Sequence, residues 1–302
     1  MNLSKKRTII FIIITFVITW AAEFMLWKGG GLKNPRVQIY LSIIMMIPMI
    51  GSFLTRWITK EGLENLWLRL DFKANIKTYL IAWFGPALLI LFGSALYYLI
   101  FPAKFDPEMS VLRQSLNALG EQQTAELTTQ KLLLSILSQV LLALIMSPIL
   151  NAIPCLGEEI GWRAYLLPKL ADFLPRKKAV VISGVVWGIW HAPIIAMGYN
   201  YGENYPLFPW LGIIGMILFC VFVGSFLAWL TFRMESALPA AIAHGAINGM
   251  ASVVASVGIF FLRGTPEPFL GPYPVGIVGG FGFIVIGILC YLNIEKAKPL
   301  QS

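Results

Sequence analysis

The chain has 302 residues, 58% hydrophobic and only 13% charged, with a mean hydropathy of +0.75. A soluble domain carries about 25% charged residues, so this composition excludes a water-soluble protein and calls for a bilayer. The net charge of +8 does not point to nucleic acid, because the basic residues sit between apolar runs and form no soluble basic domain. Three cysteines without a CxxC pair exclude a disulfide framework.

Crossing about 30 Å of hydrocarbon takes about 20 apolar residues in a helix. The first such run, 8–27, follows Lys5-Lys6-Arg7, exceeds a signal-peptide core in length and lacks an Ala-x-Ala cleavage site, so it reads as a retained span. Seven more follow at 37–58, 78–101, 131–154, 179–198, 209–232, 236–262 and 273–294. The expected fold is therefore all-α: a polytopic membrane protein of about eight transmembrane helices enclosing an intramembrane catalytic cavity. With no repeat or low-complexity stretch, residues 1–302 read as a single transmembrane domain with a core at 131–250. Segment 59–77 mixes Leu63, Trp67 and Leu70 with charges and fits either an inner-surface segment or a solvated connector. The 102–130 loop is polar and expected to be exposed. With the N-terminus inside, 16 of the 23 Lys/Arg fall on the inner side while acidic residues divide evenly. The positive-inside rule then predicts a cell-membrane protein with both termini cytoplasmic.

Ionisable groups within spans cost about 2.5–3.5 kcal/mol each on insertion scales and mark function. Here they cluster: Glu158, Glu159 and Arg163 at the inner end of the fourth span, His191 in the fifth, and His244 with Asn248 in the seventh. Glu23, near the outer end of the first span, is expected simply to reach the interface. Glu159 and Arg163 are four apart and pair on a helix face. Glu158 points about 100° away, so a partner from another helix is expected, the histidines being the nearest candidates by type. Trp187 precedes His191 by four, placing the indole beside the imidazole. Gly184/Gly188 and Gly245/Gly249 are small-xxx-small pairs that let neighbouring helices approach.

GluGluxxxArg (158–163), TrpxxxHis (187–191) and HisxxxAsn (244–248), in this order on successive spans, resemble the CAAX protease and bacteriocin-processing (CPBP/Abi) family of intramembrane glutamic endopeptidases. The resemblance covers roughly 131–250, with Trp187 standing where the prenyl endopeptidases typically show Phe. It implies Glu158 as the catalytic glutamate, His191 as its helper on water, His244 and Asn248 as the oxyanion pair, and Glu159 and Arg163 as supporting positions. A membrane-associated peptide or protein is the implied substrate, the lipid bilayer the surroundings, and no cofactor is expected.

The rival readings are distinct. Two His and one Glu can hold catalytic zinc, although an HExxH helix is absent and Asn248 is a poor zinc ligand. A thiol mechanism through Cys155 runs against the inertness of a cysteine buried in an apolar helix. Intramembrane Glu and His also mark transporters and proton relays, and a non-catalytic immunity scaffold would keep the fold without the chemistry.

Overall fold

The computed structural model describes residues 2–117 and 128–297. Helix α1 (Leu3–Lys28) opens where the Asn2 side chain accepts from the Ser4 amide at 2.9 Å. Its buried residues Thr8, Phe11, Thr15, Thr19, Glu23 and Leu26 recur every three to four positions, while Ile13, Val17 and Met25 point outward. That stripe faces protein and the remainder faces lipid. The following elements are α2 (Val37–Ile44), α3 (Ile47–Ile58), α4 (Phe72–Ile100), α5 (Ser110–Asn117), α6 (Thr129–Leu150), α7 (Ala152–Glu159), a π-helical segment (Ile160–Leu166), α8 (Leu167–Ala171), α9 (Arg176–Trp190), α10 (Ala192–Ile195), α11 (Trp210–Met234), α12 (Leu238–Val257) and α13 (Phe281–Leu292). The fold is all-α, as expected: among the described residues there is no strand, only the isolated bridges Leu68–Ser236 and Phe105–Leu262.

Counting α2 and α3 together as one stretch over 37–58, six helices among the described residues are long and apolar enough to cross a membrane, against the expected eight. The difference lies in the fifth and eighth runs. In the fifth, the long helix α9 ends at Trp190 and only the four-residue α10 follows, because Pro193 lacks an amide hydrogen and crowds the preceding turn; His191 lies at the break. In the eighth, Pro272, Pro274 and four glycines between 271 and 280 fold the chain into turns, leaving a helix of 12 residues, Phe281–Leu292. Segment 59–71 is an irregular connector docked on the turn after α11, with the Ala237 amide donating to the Trp67 carbonyl at 2.8 Å. The exposure expected for the 102–130 loop falls partly on 118–127, outside the described residues, as does Lys298 of the charge count.

Close packing follows the small residues. A Cβ on Gly184 would lie 2.7 Å from Val221 Cα, and one on Gly188 would strike Ile217, so α9 lies directly on α11. Gly249 abuts Ser147 and Gly245 lies against the Pro148 carbonyl, bringing α12 onto α6. Both expected pairs thus serve interhelical contacts. The break between α2 and α3 presses Met46 onto Gly157 and Pro48 onto Gly161, supporting α7 from behind.

The connectors sort onto two faces. On one, Glu61 binds Arg7 at 3.2 Å, Lys169 at 2.5 Å and Arg56 at 3.5 Å. Partial burial opposes the ionisation of Glu61, but these cations and the Tyr165 hydroxyl outweigh it and hold the carboxyl below its ordinary range. Ser4 meets Asp172 and Arg176 meets the Ala297 carbonyl on that same face, so the two described ends of the chain lie together. On the other face Lys104 pairs with Glu267, and Tyr201 and Tyr205 pack on Phe269.

Candidate active site

Pro148 lies inside α6, and the chain re-enters helix at Ala152 and runs into the wider π turn at Ile160. Such segments interrupt the regular backbone ladder and recur at functional sites. Glu158 and Glu159 close α7 immediately before it, 3% and 0% exposed. Their partners differ. Glu159 Oε1 accepts from Arg163 Nη1 at 3.1 Å, the expected four-residue pair, and also faces His244 Nδ1 at 2.9 Å. Glu158 Oε2 accepts from two indoles, Trp162 Nε1 at 3.3 Å and Trp187 Nε1 at 2.8 Å.

The expectation that the histidines supply the partner of Glu158 is therefore corrected. His244 reaches the neighbouring carboxylate, and His191 Nδ1 meets the Trp187 carbonyl at 2.8 Å. The indoles take the place because Trp162 follows Glu158 by four residues, as Arg163 follows Glu159, and because α9 carries Trp187 into the same cavity. Trp187 is central to the cluster: the Arg163 guanidinium lies 4.2 Å from its ring, and its ring centroid is 5.4 Å from that of His244 and 5.9 Å from that of His191. Each imidazole has Nδ1 engaged, leaving Nε2 for another group.

Glu158, Trp187, His191, His244 and Asn248 all line one cavity of about 800 Å³, whose wall also includes Cys155 and Glu23. Asn248 Nδ2 lies 3.6 Å from Cys155 Sγ. Glu159 and Arg163 stand behind this wall, fully buried. Glu23 departs from expectation: it is 1% exposed and faces the cavity instead of reaching the interface. The cluster around Trp187 offers hydrogen-bond donors and the Glu158 carboxylate facing this cavity, a set suited to activating water and stabilising negative charge. Among the described residues, no group of three or more His, Cys, Asp or Glu side chains is placed to hold a metal ion.

Sequence reasoning passed over Trp162 and the donor role of Trp187. The four-residue spacing from Glu158 to Trp162 was available as a signal, but tryptophan in a membrane span reads as apolar filler unless its N–H is counted.

Comparison with known proteins bears on the same segment. Residues 129–250 match the family described as Type II CAAX prenyl endopeptidase Rce1-like. A curated protein of Methanococcus maripaludis, CAAX prenyl protease 2, is 30% identical over 95 residues, 30% of this chain and 34% of that protein. The chain thus spans about a third of the length of the curated relative it matches.

Proposed function

We propose that this protein belongs to the CAAX protease family, a reading supported by the match over residues 129–250, and is an intramembrane endopeptidase that cleaves a membrane-associated peptide or protein with glutamate-activated water. The observation that carries the reading is the Glu158 carboxylate, fixed through Oε2 by two indole N–H groups at the wall of a cavity shared with His191, His244 and Asn248.

In this mechanism Glu158, through its other oxygen, takes a proton from a water that His191 Nε2 helps to orient. The water oxygen adds to the scissile carbonyl carbon, and the carbonyl oxygen becomes an oxyanion. Asn248 Nδ2 and His244 Nε2–H stabilise that charge; the His244–Glu159 contact holds the ring so that a doubly protonated imidazole presents its second N–H to the cavity. Glu158 then returns the proton to the departing amine as the C–N bond breaks, so atoms and charge balance. Glu159 and Arg163 position His244 and Trp187 without touching substrate. The protein sits in the cell membrane with both termini cytoplasmic, a reading supported by the Lys/Arg distribution and by the shared face of the described ends. Hydrolysis of a membrane peptide by the wild type in nanodiscs, absent in Glu158→Gln, tests the proposal.

A further inference from the structure

The mechanism leaves one cavity carboxyl without a task. Glu23 belongs to the buried stripe of α1. One turn earlier on that stripe, Thr19 accepts from Trp190 Nε1 at 2.8 Å, and Trp20 Nε1 donates to the Trp190 carbonyl at 3.3 Å. Four residues add about 6 Å of helix, which sets Glu23 beside the segment that follows Trp190. His191 and Ile194 of that segment share the cavity wall with Glu23. Packing and cavity lining thus agree on its position.

Its electrostatic situation is unlike that of the other two buried glutamates. Glu158 has two indole donors and Glu159 has Arg163 and His244. Glu23 Oε2 is buried with no hydrogen-bond partner among the described residues, as is Glu159 Oε2, but Glu23 has no cation such as Arg163 beside it: the described residues of the cavity wall include no lysine or arginine. Gln38, Ser42 and Asn200 line the same cavity, so its wall is not uniformly apolar. A purely hydrocarbon occupant would leave the carboxyl unanswered. A glutamine would offer neutral hydrogen bonding at a lower cost of insertion than a carboxylate, so the property that distinguishes Glu23 is its capacity for charge.

We infer that Glu23 is a specificity-determining residue that binds a basic side chain, lysine or arginine, of the substrate while the scissile bond lies at Glu158. This deepens the endopeptidase reading and rests on it, yet it is testable without turnover.

The probe is a set of apolar peptides carrying a single lysine moved position by position, each paired with a norleucine control. Binding is measured to Glu158→Gln protein in nanodiscs. At one position lysine should bind at least about tenfold tighter than norleucine, as expected for a buried charge pair. Adding Glu23→Gln should bring that ratio to about one, and adding Glu23→Asp should preserve part of it. Absence of lysine preference at every position, which requires no Glu23 variant, overturns the inference; so does a preference that survives Glu23→Gln. Failure of the wild type to cleave any peptide would sink the endopeptidase reading and leave the binding result standing on its own.

Discussion

Replacing Glu159 with glutamine leaves Arg163 buried beside a neutral amide, and replacing Arg163 with alanine leaves Glu159 with only His244. Both partners are at most 2% exposed and 3.1 Å apart. Removing one member of a buried ion pair costs about 3–5 kcal/mol, and Glu159→Gln also weakens the 2.9 Å contact to His244. At about 2–4 °C per kcal/mol, either change should lower the melting temperature by on the order of 10 °C. Glu158→Gln is different, because a glutamine oxygen still accepts from Trp162 and Trp187. It should cost only about 1 kcal/mol while abolishing cleavage. The assay is tryptophan-fluorescence melting of nanodisc-embedded variants beside peptide hydrolysis. Equal destabilisation in all three variants, or wild-type melting in Glu159→Gln and Arg163→Ala, would refute the division of roles within the glutamate pair.

Trp187→Phe keeps an aromatic ring under Arg163 but removes the 2.8 Å donor to Glu158. Turnover should fall by roughly ten- to a hundredfold, the worth of a hydrogen bond to a charged group, with folding retained; unchanged turnover would show that the indole N–H does not position the base. Asn248→Ala should reduce kcat by about 10²-fold or more with little change in KM, since an oxyanion donor acts in the transition state; a rise in KM alone would make Asn248 a substrate contact instead. Lys177→Cys should resist impermeant thiol reagents added to intact cells, and labelling from outside would invert the topology drawn from the Lys/Arg count.

What was legible in the sequence followed from helical arithmetic. The Glu159–Arg163 pair and the helix contacts made by Gly184/Gly188 and Gly245/Gly249 are consequences of residues four apart on one face. Other partnerships were hidden because they join distant parts of the chain. Nothing local determines which of two adjacent carboxylates meets a histidine 85 residues away, and α12 settles that only through its packing against α6 and α7. The helix breaks at Pro193 and through 271–280 were visible in composition, yet hydropathy averaged over 20 residues passes across them, so eight spans were expected where six helices meet the length requirement. Glu23 misled for a related reason: proximity to a span end suggests the interface, whereas the three- to four-residue stripe it continues runs into the cavity.

In the proposed mechanism Glu158, without a metal, activates the water that cleaves the peptide bond. This is tested most directly by measuring elemental metal content and hydrolysis together, in wild-type and Glu158→Gln protein, before and after prolonged chelation. Metal-depleted wild type should retain full activity with no stoichiometric zinc, and Glu158→Gln should be folded and inactive. One zinc per chain, lost on chelation together with activity and restoring it when returned, would rule out the glutamate mechanism.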